Sequence, residues 1–382
     1  MTEIALLTDR GARIAWATAL EPAADVPGTA ALAGPFVAAW AAIRELGHVE
    51  ALTRARAGVL AVGEAVAERA RRADVERQEE MAAALGARIL TPADAEWPTG
   101  VDDLVTPPHC VWVRGDVDLA EAMRRSASVV GSRAATAYGL DVTRDIAVGL
   151  ADRGFTVTSG AAFGIDGAAH EGALAGGGTT VALLACGIDR VYPAAHAHLL
   201  AEIARTGAVV TELPPGSLPL RQRFLSRNRL IAALTRGTLV VEAGLRSGSL
   251  NTARHARALG RPVGAVPGPV TSPVSAGCHA LLRNTDAALV TSAAEAVDLF
   301  GDIGPDTADT IHVDDIDQRW SDADRTVFGV IPVRAAVGLD TLVDGTGLPV
   351  ADVLATLTRL EEDAVIRRRG DGWQKTPTGL RA

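Results

Sequence analysis

The sequence predicts an α/β protein, with a parallel sheet at its centre, a small helical domain before it and a winged-helix-like domain after it. Three observations carry the prediction. Between Ala87 and Phe300 short apolar runs alternate with amphipathic stretches, the pattern of repeated βαβ units. Before Ala87 apolar residues recur at helical spacing. Beyond residue 321, three helical stretches are followed by a glycine-centred hairpin signal.

Residues 1–85 are alanine-rich, carry helical spacing in segments such as 35–46 and 59–70, and offer no convincing strand. They read as a helical accessory domain. The core spans 86–301. After an apolar run at Cys110–Val113, its repeating unit is clearest from Ala127 onward: strand Ala127–Val130, turn Gly131-Ser-Arg133, helix Tyr138–Arg153. Strand Phe155–Thr158, a glycine-rich turn Ser159–Gly164 and helix Ile165–Ala175 repeat it, and Thr179–Ala185, Ala208–Thr211, Gly237–Val241 and Pro262–Val266 continue the strands. Strands separated by helices pair in parallel and are covered on both faces, so the core is a Rossmann-like sheet. Residues 302–321 are acidic, with Asp314, Asp315 and Asp317, and read as a linker. In 322–382, helices at 324–333, 339–345 and 349–363 and a hairpin at 365–376 turning on Gly370-Asp-Gly372 make a winged-helix outline. An unrelated small α/β appendage is the alternative there.

With 382 residues, 48% of them hydrophobic, the chain can bury a full core across two or three domains. The net charge of −9 argues against a protein coated in positive potential, so any nucleic-acid site must be local. Lys375 is the only lysine; every other basic side chain besides histidine is arginine. No run of eighteen apolar residues occurs, and Met1-Thr2-Glu3 lacks the start of a signal peptide, so a cytoplasmic protein is expected. Cys110, Cys186 and Cys278 are far apart and without C-x-x-C spacing; they read as buried thiols, with neither metal nor cofactor implied.

In an open parallel sheet ligands bind beyond the carboxyl ends of the strands. Four turns there are rich in glycine and small polar residues: Gly131-Ser-Arg133, Ser159-Gly-Ala-Ala-Phe-Gly-Ile-Asp166, Glu242-Ala-Gly-Leu-Arg-Ser-Gly-Ser249 and Pro267-Gly-Pro269. Glycine admits close approach and a helix start holds a phosphate, so together they suggest an anion-binding cleft. No Walker loop and no G-x-G-x-x-G fingerprint after the first core strand is present, which argues against an NTPase or a dehydrogenase.

The segment Arg221-Gln-Arg-Phe-Leu-Ser-Arg-Asn-Arg229 sets four arginines around Phe224 and leads into the apolar Leu230–Leu234. Guanidinium forks grip phosphate oxygens and an aromatic face stacks a base, the elements of single-strand binding. The bland alternative pairs Arg227 and Arg229 with carboxylates and puts Phe224 in the core. Asp166, His170 and nearby Ser159 suggest a hydrolase triad, but no G-x-S-x-G elbow is present, and an i, i+4 Asp–His pair is more often a structural clasp.

Val130-Gly-Ser-Arg133, Ser159-Gly-x-Ala-x-Gly-Ile-Asp166 with Ala169-His170, Phe224-x-x-Arg-Asn-Arg229, and Glu242-Ala with Ser247-Gly-Ser-Leu-x-Thr-Ala253 occur in this order. On these motifs the chain resembles the DNA-processing protein A (DprA/Smf) family across roughly residues 87–300. The resemblance implies an extended Rossmann fold that binds single-stranded DNA, dimerises, and loads the RecA recombinase in natural transformation, with a helical, SAM-like N-terminal domain and a winged-helix-like C-terminal one. Carried across by matching positions, it implies a DNA site of Gly131, Ser132, Arg133, Gly160, Arg221, Phe224, Arg227, Asn228, Arg229, Ser247, Gly248 and Ser249. Arg221 stands where the family often has lysine, Leu225 departs from a frequent proline, and Trp97-Pro98 replaces a common Tyr-Pro.

Two rival readings differ in class. A nucleotide-hydrolysing enzyme similar to the phosphoribohydrolases would carry P-G-G-x-G-T-x-x-E, whereas the turn here has no glutamate after its glycines. A duplex binder would use Pro349–Leu360 as recognition helix, but that stretch has Asp352 and a single arginine, Arg359, which leaves Arg367–Arg369 as accessory phosphate contacts.

Overall fold

The computed structural model describes residues 8–22, 30–60, 62–307, 320–333 and 335–376, and only the backbone of 30–37. The chain divides into two compact units, Met1–Ala308 and Asp309–Ala382.

Among the described residues the first unit opens with five helices: α1 Asp9–Ala19, α2 Ala30–Leu46, α3 His48–Arg56, α4 Glu64–Arg72 and α5 Val75–Ala84. Thr8 caps α1 by accepting from the Gly11 N–H at 3.0 Å, and Asp74 caps α5 by accepting from Arg77 N–H at 3.0 Å. Their apolar faces do not close on themselves. Ile14, Trp16 and Leu52 share one core with Cys110, Trp112, Leu184 and Ile188 of the following region, so the helical segment is built onto the sheet.

Nine strands follow: β1 Ala87–Leu90, β2 Val111–Arg114, β3 Ser126–Val130, β4 Thr156–Ser159, β5 Thr180–Leu183, β6 Ala208–Thr211, β7 Gly237–Val240, β8 Val263–Ala265 and β9 Ala288–Leu289. Between them run α6 Leu119–Arg124, α7 Ala137–Asp152, α8 Ile165–Ala175, α9 Ala197–Thr206, α10 Arg221–Leu234, α11 Gly248–Ala258 and α12 Ala276–Asn284, with α13 Ala293–Phe300 last. The sheet order is β1-β2-β6-β5-β4-β3-β7-β8-β9. Strands β3 to β9 are parallel, as the apolar runs predict, and β3 to β8 are buried at every residue. Helices α7, α8 and α13 pack on one face, α10, α11 and α12 on the other.

The sheet is mainly parallel, as expected; at one edge β1 pairs antiparallel with β2 and β2 with β6. The connection from β1 to β2 holds only a short 3-10 turn at Thr99–Asp103. With no crossover helix to carry it back, the chain returns antiparallel. At the start of the acidic stretch Arg125 makes a two-pronged ion pair with Asp306 (2.7 Å each), and Arg236 meets Asp302 at 2.6 Å, fastening 302–306 to the core. Asp314, Asp315 and Asp317 lie outside the described residues. All three cysteines are buried and free.

The second unit holds α14 Asp322–Val330, β10 Val337–Gly338, α15 Leu339–Thr346, α16 Val350–Glu362, β11 Ile366–Arg369 and β12 Gly372–Lys375, the strands forming an antiparallel sheet ordered β10-β12-β11. A reciprocal Ser321–Asp324 cap starts α14. Val327, Leu342, Val353, Leu360 and Trp373 form its core. Arg367, Arg368 and Arg369 are exposed on the edge strand β11.

Candidate functional site

Strands β3 and β7 are neighbours, and the chain winds away from them in opposite directions: β4, β5 and β6 to one side, β8 and β9 to the other. At such a switch point the two departing turns separate and leave a crevice beyond the carboxyl ends. Here it is a cleft of about 820 Å³, lined by residues 130–134 after β3, 244 and 246–249 after β7, the outer turns of α10, and Tyr192 from the loop after β5.

The four arginines of the α10 segment, equivalent in the sequence, have four different surroundings. Arg221 is exposed at the cleft and, among the described residues, has no carboxylate partner. Arg223 is turned away, bonded to Glu21 at 2.6 and 2.9 Å. Arg227 lines the cleft floor but is buried, donating to the carbonyls of Gly160 (2.9 Å) and Leu183. Burial, together with the Arg133 charge and against the pull of Asp166, lowers its pKa to about 10. Arg229 does not reach the cleft: it forms a buried ion pair with Glu212. The expectation that Arg229 touches DNA directly is corrected accordingly, because its charge is spent on a carboxylate behind the helix.

Arg133 and Arg246 also face the cleft without a carboxylate partner among the described residues. The Arg133 guanidinium lies 4.9 Å from the centre of the Phe224 ring, and Tyr192 meets the same ring at 5.5 Å. Tyr192 is 42% exposed. Cations beside half-open rings are the chemistry for phosphates and flat bases. Ser247, Gly248 and Ser249 form the start of α11, with Ser247 as its cap accepting from the Ser249 N–H, so the positive helix end lies at the cleft. Asn228 ties this turn to α10 by donating to Gly248 O at 3.1 Å.

The glycines play a different part from the one expected. The buried carboxylate of Asp166 accepts from Gly160 N–H at 3.2 Å, and the Gly131 and Ala162 amides also favour its charged form, while burial pushes its pKa up. The chain's own anion thus fills the amide nest that the sequence assigned to phosphate. A Cβ at Gly160 would strike the Arg227 guanidinium, and one at Gly131 would meet Ile165 Cγ1 at 2.5 Å. Gly160 is shut off beneath Arg227, whereas Gly131 and Ser132 still line the cleft.

No hydrolytic triad is assembled. Ser159 Oγ donates to Val129 O at 2.6 Å, and His170 Nδ1 pairs with Thr180 Oγ1 at 2.7 Å, so the expected Asp166–His170 clasp does not form. Burial lowers the His170 pKa to about 3. Glu242 accepts from Thr136 N–H (2.9 Å) and Oγ1 (2.6 Å), pinning the start of α7. Among the cleft residues that sequence reasoning did not single out are Tyr192, in a loop without a motif, and Arg246, inside the Glu242–Ser249 turn. Position after a parallel strand was the signal that both carried.

Fold and cleft together define a doubly wound α/β protein with a cationic, aromatic ligand cleft at its switch point. The chain belongs to the DNA recombination-mediator protein A family, whose sequence profile matches residues 88–301. It is 46% identical over 349 residues to a putative DNA processing protein DprA of Mycobacterium tuberculosis, covering 87% of this chain and 89% of that one. To DprA of Streptococcus pneumoniae it is 38% identical over 204 residues, 53% of this chain and 71% of that one. The X-ray structure of the S. pneumoniae protein superposes with a TM-score of 0.64 at 28% identity, covering 77% of this chain and 99% of that one. A structure of DNA processing protein A from Helicobacter pylori, reported for its single-stranded DNA binding mode, gives 0.50 at 29% identity, covering 55% and 93%. Among the described residues no helix is long and apolar enough to cross a membrane.

Proposed function

We propose that the cleft at the β3/β7 switch point binds single-stranded DNA, and that the protein acts as a binding protein rather than an enzyme, protecting incoming strands and loading the RecA recombinase onto them. The observation that carries the reading is the juxtaposition of Arg133, Arg221 and Arg246, none with a carboxylate partner among the described residues, with the half-open Phe224 and Tyr192 rings. Bases offer their faces to such rings only when unpaired. The H. pylori relative's single-stranded DNA binding mode supports the same ligand. The carboxylates nearest the cleft, Asp166 and Glu242, are engaged by groups of the chain itself, which favours binding over hydrolysis. RecA loading and a homodimer through the Rossmann-like domain rest on the family resemblance, and a cytoplasmic setting goes with that reading. The division into 1–85 (helical accessory), 86–301 (DNA-binding), 302–321 (linker) and 322–382 (winged-helix-like) rests on the residue pattern of the sequence.

The test is fluorescence anisotropy of labelled oligo-dT and labelled duplex, with wild type and Arg133→Ala, at several salt concentrations. Three neutralised phosphates give a log–log salt slope of about −2, shallower by about 0.7 in the variant. Preferential single-strand binding weakened by Arg133→Ala supports the reading. Equal binding by the variant, or none by wild type, overturns it and turns attention to nucleotide hydrolysis.

A further inference from the structure

The described phenylalanine and tyrosine rings of the first unit fall into two groups. Phe155 and Phe300 are buried. Tyr138, Phe163, Tyr192 and Phe224 are not, and all four stand beyond the carboxyl ends of parallel strands. The Tyr138 hydroxyl is occupied, donating to Pro267 O at 2.6 Å, and Tyr192 and Phe224 belong to the cleft. Phe163 has no such employment. It is 49% exposed, at the tip of the turn from β4 to α8, next in sequence to Ala162 on the cleft wall.

The turn beneath Phe163 is held firmly. Ala161 sits at φ +53°, a left-handed conformation that residues with a Cβ seldom adopt. Its carbonyl is hydrogen-bonded to His196 Nδ1 at 3.0 Å, and the His196 ring meets Phe163 edge to face, centroids 5.0 Å apart. On the other side, Gly164 is at φ +75°, where a Cβ would strike the Ser132 carbonyl, and Ile165 N–H donates to that same carbonyl at 3.2 Å. The turn carrying Phe163 is thereby bolted to the turn carrying Arg133. Backbone held in a sparsely populated region persists only where its surroundings over-determine it, and such places cluster at ligand sites. The outcome here is a phenylalanine ring kept in water beside a cationic cleft.

We infer that Phe163 is a second stacking platform, onto which a single strand continues as it leaves the cleft past Ala162. The inference rests on the single-strand reading above and extends it: the binding site is longer than the cleft, and its extension runs toward the β4/β5 side. Stacking is indifferent to base identity, so the extension adds length and affinity without sequence preference.

The experiment measures dissociation constants of the full chain for oligo-dT of increasing length, with wild type, Phe163→Ala, Phe163→Tyr and Arg133→Ala. For oligonucleotides long enough to reach the ring, Phe163→Ala weakens binding about 5- to 150-fold, the range for one stacked base. Shorter ones bind unchanged, Phe163→Tyr restores the long-oligonucleotide affinity, and Arg133→Ala weakens every length. Identical constants for wild type and Phe163→Ala at all lengths overturn the inference while leaving the cleft intact. A loss equal at all lengths and not rescued by Phe163→Tyr also overturns it, marking the ring as a prop for the turn. Absence of single-strand binding by wild type defeats the cleft reading first, and this inference with it.

Discussion

Arg229 is the residue at which structure and motif disagree most usefully. It belongs to the Phe224-x-x-Arg-Asn-Arg229 motif, yet it is 4% exposed and paired with Glu212, 7% exposed. Removing one member of such a pair leaves the other charge buried without its counter-ion, at a cost of about 3–5 kcal/mol. At roughly 2–4 °C per kcal/mol for a domain of this size, Arg229→Ala should lower the melting temperature by about 6–20 °C. The deficit has a pH signature. Burial already pushes the Glu212 carboxyl up against the pull of Arg229, and without the guanidinium it rises further. A carboxyl whose folded pKa lies above its unfolded one stabilises the fold when protonated and loses that contribution as pH rises. The variant's deficit should therefore shrink as the pH is lowered from neutrality. Replacing both partners, Arg229→Met with Glu212→Leu, removes the uncompensated charge and should recover most of the loss, with single-strand binding retained. Calorimetry or circular-dichroism melts, with anisotropy in parallel, read both quantities. If Arg229→Ala melts like wild type but fails to bind DNA, the pair is not structural and the argument fails.

Gly160→Ala should displace the Arg227 guanidinium, losing bonds to Gly160 O and Leu183 O worth about 1.5–3 kcal/mol each; a variant that melts and binds like wild type would contradict the packing described. Phe224→Ala should weaken oligo-dT binding by about 1–3 kcal/mol without changing the melting temperature comparably, and titration of that variant against wild type checks it. Acid should destabilise the protein below about pH 6.5. His109 and His170 are buried, which lowers the His109 pKa well below 6.5 and that of His170 to about 3. The unfolded chain protonates both first, so stability present above pH 6.5 is lost as pH falls, by about 1.4 kcal/mol per histidine at pH 5.5. Urea melts of wild type and His170→Gln at pH 7.5 and 5.5 measure this; the variant's pH dependence should be shallower.

The parts of this protein legible in the sequence are those set by local physics. Strands buried on both faces read as apolar runs, and the turns beyond them as glycine-rich gaps, which sufficed to place Arg133, Phe224 and Ser247–Ser249 at one end of a parallel sheet. What depends on distant pairing was not legible. Arg223 and Arg229 look like Arg221 until Glu21 and Glu212 are brought beside them across 202 and 17 residues of chain. Nor does any local pattern reveal that Asp166 occupies the amides of its own turn, or that Tyr192 completes the aromatic pair. The antiparallel edge was not legible because β1, Ala87-Arg-Ile-Leu90, is too short and half-buried to read as a strand, while β2 gives an apolar run like its parallel neighbours.

The central claim is that a single strand lies in the β3/β7 cleft with its bases against aromatic rings. The most direct measurement is photocross-linking of the full chain to an oligonucleotide carrying 5-iodouracil, followed by mass-spectrometric mapping of the linked peptides. The account predicts adducts at Tyr192 and Phe224, suppressed by excess unlabelled oligo-dT and by Arg133→Ala. Adducts confined to other surfaces, such as the Arg367–Lys375 hairpin, with none at the cleft, would contradict it.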